Sequence, residues 1–385
     1  MELSQQNKIL NAPQSIIASI ILGLGGIFMF ILLPLFVNAI STDLALNSRQ
    51  VGYLASADLF GFFLGSISSL WWARKVNWRV SGLIVLAMII LMNALSIRMM
   101  GDINLFLFLR VLAGIGQGAA VSIYSAHIGD TQKPERYYAN FLIAQTIIGV
   151  IGLYFLPAWI AQIGGKAILW VHIGLCLIGV VSVGASLPRR GLSRGTGFKS
   201  FSLSASGLAL LGLLLFFIAQ GGTWAYMQKI GSSLGLSDKW IGMSLSLSMI
   251  GAFLGASSAA IIATKYGRKL PLILVGLGQP LCLLLIFMNL GTIGFLIGSI
   301  AFLFLWNVGI PYIMGILIGA DQSGQSILLA NPLFALGVSI APIIISQFVI
   351  SKNYTSVGWV GAIAMLASVS LLLIAIKNMK NEGKE

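Results

Sequence analysis

The sequence predicts an all-α membrane protein, with twelve transmembrane helices in two pseudo-symmetric six-helix bundles. Three observations carry this. The 385 residues are 58% hydrophobic and only 9% charged, against about 25% charged in a soluble domain. The apolar residues come in runs of roughly 20 or more, the length of a helix that crosses about 30 Å of hydrocarbon. The first half of the chain also recurs in the second, at a shift of 190 residues.

The apolar runs place helices near 13–38, 49–72, 80–99, 104–127, 137–160, 166–187, 205–228, 240–263, 270–290, 292–319, 326–350 and 357–377. The short alternating segments of an outer-membrane barrel are absent. The first run is long and lacks a convincing cleavage site, so it reads as the first span rather than a secretory signal. Between the sixth and seventh runs lies "PRRGLSRGTGFKSFS", basic and rich in Gly and Ser, which reads as a flexible linker. The expected division is therefore a bundle over 1–187, a linker over 188–203 and a bundle over 204–385.

The net charge of +13 raises the question of nucleic acid, but its distribution answers otherwise. Sixteen of the 23 Lys and Arg fall on the side of the predicted topology that holds the N-terminus, and six on the other. Short loops rich in Lys and Arg stay in the cytoplasm. Both termini are thus expected in the cytoplasm, in a bacterial inner membrane, and the charge needs no phosphate partner. Cys176 and Cys282 fall in predicted spans and form neither a metal-ligand pattern nor a disulfide framework. No phosphate-binding loop, carboxylate pair or nucleophile motif is present, which argues against direct ATP use and against an enzyme. No cofactor and no metal are expected, and a monomer is.

The repeat is specific. Gly61-Phe-Phe-Leu-Gly65-Ser-Ile-Ser68 aligns without a gap on Gly251-Ala-Phe-Leu-Gly255-Ala-Ser-Ser258. Val51-Gly52 meets Ile241-Gly242, Lys75 meets Lys265 and Arg79 meets Lys269 at the same shift. Six spans per copy give both halves one orientation, so the repeats are parallel. The whole architecture resembles the major facilitator superfamily. That family's loop after the second span reads roughly Gly-x-x-x-Asp-Arg/Lys-x-Gly-Arg/Lys-Arg/Lys. Here the second half keeps Lys265, Gly267, Arg268 and Lys269 with Thr264 in place of the Asp, and the more degenerate first half keeps Lys75 and Arg79 with Arg74 in place of the Asp. Arg110-Val-Leu-Ala-Gly114-Ile-Gly116 matches the family's Arg-x-x-x-Gly-x-Gly in the fourth span, and Arg136 opens the fifth. The fifth span has Gly149 and Gly152 but no adjacent Gly-Pro, a pair frequent in antiporter-type exporters. The resemblance implies a secondary transporter that works by alternating access, its cavity lined by the first, fourth, seventh and tenth spans.

Asp58 is the one acid that no loop, tail or helix end accommodates, and Arg110 is the one basic residue well inside a span. At 1.5 Å per residue Asp58 sits about 14 Å along its helix from Arg49, and Arg110 about 10 Å into the fourth span. A lone charge in hydrocarbon costs about 2.5–3.5 kcal/mol on insertion scales, so opposite charges at matching depth are expected to pair. The functional reading makes Asp58 and Arg110 a proton-coupling pair, tuned by charge and desolvation. The bland one makes them a static pair that sets helix register. Arg110 is also a candidate anchor for an anionic substrate. Gln117 and Tyr124 lie below it on one helix face, and the intervening glycines read as packing residues.

The second half offers Gln220, Trp224 and Tyr226 in the seventh span, Asn307 in the tenth and Asn331 in the eleventh as substrate contacts. Aromatic packing and hydrogen bonds at Pro breaks are the alternative. A wall mostly apolar and aromatic suits a small amphipathic molecule better than a sugar. Asp130 with Arg74 and Arg79, and Asp321 with Arg268, are expected either to latch the cytoplasmic side or to be solvated helix ends. His127 and His172 are isolated in the sequence and read as satisfied helix histidines, with His127 alternatively joining the Asp130 cluster. The expected function is proton-coupled transport of a small amphipathic organic molecule through the lipid bilayer, with efflux favoured. Proton-linked uptake of a small organic anion and lipid or lysolipid flipping are the alternatives.

Overall fold

The computed structural model describes residues 2–191, 205–288, 290–321, 326, 329–349 and 353–381, with the side chains of 2–5, 135, 380 and 381 left aside. Most of the expected linker lies outside the described residues. The described residues form fourteen helices: α1 Glu2–Leu10, α2 Pro13–Ile31, α3 Leu33–Asp43, α4 Ser48–Trp72, α5 Trp78–Arg98, α6 Ile103–Gly129, α7 Pro134–Ile163, α8 Lys166–Ser186, α9 Ala205–Ser233, α10 Asp238–Ile262, α11 Lys269–Phe287, α12 Gly291–Ala320, α13 Ala330–Ser346 and α14 Thr355–Asn381. Eleven of them are long and apolar enough to cross a membrane, and α13 is a shorter apolar helix. The chain is a multi-pass membrane protein.

The helix ends follow local chemistry. Asn77 accepts from the Arg79 and Val80 N–H groups at 3.1 and 3.3 Å and so caps α5. Asp102 does the same for α6 through the Asn104 and Leu105 N–H groups at 3.0 and 3.1 Å. Gly164 ends α7 at φ +73°, and a Cβ there would meet the Asp43 carboxylate, which accepts the neighbouring Gly165 N–H at 2.6 Å.

Two features differ from the sequence reading. The first span is two helices, α2 and α3, which meet at Leu32; Pro34 in the first turn of α3 lacks the donor that would continue the ladder. The expected N-terminal tail contains a helix of its own, α1, anchored by the fully buried Leu10. The Leu10 carbonyl accepts from His127 Nε2 at 3.0 Å, and Gln6 Nε2 donates to the Gly191 carbonyl at 2.9 Å. His127, read as a satisfied helix histidine, thus finds its partner at the end of α1.

Two compact units are present. The first comprises Met1–Ala45, Ala57–Ile148 and Ala158–Gly197; the second comprises Leu46–Ser56, Gly149–Pro157 and Phe198–Glu385. In the first, α2 and α5 each pack on α6 and α8. In the second, α9 packs on α13 and α14, α10 on α12, and α11 on α12 and α14.

Glycines set close helix contacts in each unit. Gly61 and Gly65 of α4 lie on the Val111 and Ile115 carbonyls of α6, while Gly114 and Gly118 of α6 lie on the Asp58 and Phe62 carbonyls of α4. Small residues four apart let two membrane helices touch backbone to backbone. The repeated pair does the same in the second unit, where Gly251 and Gly255 of α10 meet the Ile300 and Phe304 carbonyls of α12. Replacing Gly114 by Val forces a side chain into backbone. Thermal unfolding of the purified variant is expected to show a loss of about 1–3 kcal/mol. Gly174→Ala, which meets nothing within 4 Å, is expected to leave stability unchanged or raised.

A buried charge network as the candidate functional site

The glycine seam fixes where the charged residues of the first unit meet. Asp58 lies three residues before Gly61 on α4, and Arg110 four residues before Gly114 on α6. With the backbones in contact at these glycines, the two side chains close on each other. Arg110 Nη2 donates to Asp58 Oδ1 at 2.6 Å, and Arg110 Nε donates to Asp58 Oδ2 at 2.9 Å. This is the two-bond guanidinium–carboxylate geometry that gives the strongest ion pairs. Gln117 Nε2, two turns along α6, adds a third bond to Asp58 Oδ1 at 2.9 Å. Asp58 is 1% exposed and Arg110 0%. Neither charge has water to fall back on, so each depends on the other.

The network extends beyond the pair. Arg110 Nη1 donates to Asn93 Oδ1 of α5 at 2.6 Å and reaches Ser96 Oγ at 3.5 Å. Asn93 Nδ2 lies 3.1 Å from His172 Nδ1 of α8, and His172 Nε2 lies 2.8 Å from the Gly25 carbonyl of α2. The Phe28 ring stacks on the imidazole at 4.9 Å, and the Phe36 ring of α3 lies under the guanidinium at 5.5 Å. Polar groups from five helices thus form one buried chain, with the Phe36 ring of a sixth against it. Sequence reasoning passed over Asn93 and Ser96 and named His172 without its partners. A signal for them existed, because each is a polar residue within an apolar span and needs a partner there.

The chain matches the Major Facilitator Superfamily profile over residues 18–342. It belongs to the major facilitator superfamily. A search of curated proteins gives no significant match. Among solved structures, the fold resembles the inward-open xylose transporter XylE from E. coli, with a TM-score of 0.74 at 13% identity over 91% of this chain and 94% of that one. It also resembles a point mutant of the nucleoside transporter NupG, with a TM-score of 0.71 at 12% identity over 94% and 98% of the two chains. The transporter FucP in its outward conformation gives a TM-score of 0.63 at 14% identity over 95% and 99%. These likenesses show the fold. With the family assignment they make the chain a membrane transporter of small molecules, not an enzyme.

The remaining predicted residues of this major facilitator fall in three settings. Tyr124 is 2% exposed and stacks on Phe141 at 4.3 Å. In the second unit Gln220 is fully buried and donates through Nε2 to Gln279 Oε1 of α11 at 2.7 Å, and Gln279 Nε2 reaches the Phe302 carbonyl of α12 at 3.3 Å. Trp224 and Tyr226 are buried too, with the Tyr226 hydroxyl 3.3 Å from the Pro342 carbonyl. Asn307 is half-buried and turns its amide to the Leu303 carbonyl at 2.9 Å, whereas Asn331 is exposed.

The expected latch residues are placed as follows. Arg74 Nη1 pairs with Asp130 Oδ1 at 3.1 Å, and Asp130 packs directly on Gly191. Arg79 donates instead to the Leu187 carbonyl at 2.7 Å. Asp321 Oδ2 accepts from the Ser326 N–H and hydroxyl at 2.8 and 3.0 Å. The Arg268 guanidinium lies over Gly315 and Gly319 of α12.

Proposed function

We propose that this protein is a proton-coupled secondary transporter, in which Asp58 takes up and releases the coupling proton as the two halves alternate access across the membrane. The observation that carries the reading is the buried Asp58–Arg110 pair, completed by Gln117. A carboxylate in an apolar bundle is stable only while its donors stay in place. A conformational step that parts Asp58 from Arg110 changes its preference for a proton, and that is the link coupling needs. The repeat supports the assignment, since Ser248 and Ile300 stand at the positions of Asp58 and Arg110 in the second copy. Chemistry carried by one copy of a shared scaffold is chemistry the scaffold itself does not require.

Each guanidinium nitrogen of Arg110 already has a protein acceptor. That favours proton coupling over the anchoring of an anionic substrate. For the substrate we propose a small amphipathic molecule. Helices α9 and α12 hold aromatic and amide groups and no acidic residue, a poor match to the polar demands of a sugar. The excess of Lys and Arg in the shorter loops supports cytoplasmic termini.

The test is flux into proteoliposomes of ethidium, lysophosphatidylcholine, D-xylose, uridine and lactate, with and without an imposed pH gradient. Gradient-driven movement of ethidium or a like amphipathic compound is expected, and the sign of the effective gradient gives the direction. Movement of D-xylose or uridine alone overturns the substrate class. Flux indifferent to the gradient overturns the coupling.

A further inference from the structure

The hydrogen bonds behind Arg110 run one way. The Gly25 carbonyl can only accept, so His172 Nε2, 2.8 Å away, carries the ring proton. In the neutral imidazole this leaves Nδ1 as an acceptor. Asn93 must then present its Nδ2–H group to Nδ1, 3.1 Å away. The amide oxygen is left facing Arg110 Nη1, and their separation is 2.6 Å. Reversing any one bond sets donor against donor or acceptor against acceptor along the chain. All three side chains are 0% exposed, so water cannot repair a mismatch.

We propose that Asn93 and His172 form a positioning relay for Arg110. A main-chain carbonyl of α2 sets the His172 tautomer, the tautomer sets the Asn93 amide, and the amide holds the guanidinium at the Asp58 site. This deepens the proton-coupling reading and rests on it. The relay holds Arg110 by Nη1, through bonds independent of Asp58. Arg110 therefore stays in place when the carboxyl is neutral, ready to receive the carboxylate again. The charged and titratable groups that face the cluster are Asp58 from α4, Arg110 from α6 and His172 from α8, with the Cys176 thiol of α8 beside Gly25. The other elements contribute Phe28 and Phe36, the Ser96 hydroxyl and the Gln117 amide.

The test reads the imidazole directly and needs no substrate. The chain has two histidines, so ¹⁵N-histidine labelling of the full protein in lipid nanodiscs gives two ring systems, and His127→Gln assigns them. His172 is expected as the neutral Nε2–H tautomer at pH 7, and Asp58→Asn is expected to leave it so. Asn93→Asp puts an acceptor where the relay needs a donor, and His172 is then expected to carry protons on both nitrogens. A packing role for Asn93 would not change the ring. The relay is overturned by an Nδ1–H tautomer or an imidazolium in the wild type, by loss of the tautomer in Asp58→Asn, or by an unchanged ring in Asn93→Asp. None of these outcomes depends on transport, so failure of the relay and failure of proton coupling are read separately.

Discussion

Arg110→Leu is expected to destabilise the protein by about 3–5 kcal/mol, the range for breaking a buried ion pair by removing one partner. The loss exceeds that of one hydrogen bond because it is distributed along the network. Asp58 keeps Gln117 Nε2 as its donor, 2.9 Å away, and loses both guanidinium bonds. Asn93 Oδ1 is left facing an alkyl group. At 1% exposure the Asp58 side chain has no route to solvent without the bundle opening. Thermal unfolding followed by tryptophan fluorescence in nanodiscs measures this. The double variant Asp58→Asn, Arg110→Met removes both charges and is expected to recover much of the loss, since no unmatched ion remains. Wild-type stability in Arg110→Leu would mean that the pair does not hold the bundle together.

Asp58→Asn is expected to keep the fold and to lose the coupling. The amide has the size of the carboxyl and still offers Arg110 an acceptor, but it cannot bind and release a proton. Arg110 keeps its Asn93 and Ser96 acceptors and the Phe36 ring at 5.5 Å. Accumulation of substrate against its gradient is therefore expected to fall to the equilibration level, while counterflow exchange persists. A purely structural pair predicts another pattern, in which accumulation and exchange decline by the same factor.

The twelve-span pattern was legible because bilayer thickness sets the length of each apolar run. The scaffold role of Gly61 and Gly65 was legible too, since they recur at the repeat distance while Asp58 does not, though not the helix that they pack on. What sequence could not supply was the facing of the helices. In a span such as α5 or α8 nearly every position is apolar, so periodicity does not say which side turns inward. Nothing in the sequence therefore joins Asn93 to His172, 79 positions away, yet their side chains meet at 3.1 Å. For the same reason the sequence does not name Gln279 as the partner that Gln220 meets at 2.7 Å. The break at Leu32 could be read from Pro34, but the burial of Leu10 that anchors α1 depends on tertiary contacts with α6.

The most direct test of coupling at Asp58 is the proton movement that accompanies transport. Proteoliposomes holding a pH-sensitive dye are given a compound that the flux panel identifies, with no gradient imposed. Wild-type protein is expected to move protons when the compound is added, and Asp58→Asn to carry the compound with no proton signal. A proton signal of wild-type size in Asp58→Asn would contradict the central claim and place the coupling proton elsewhere in the molecule.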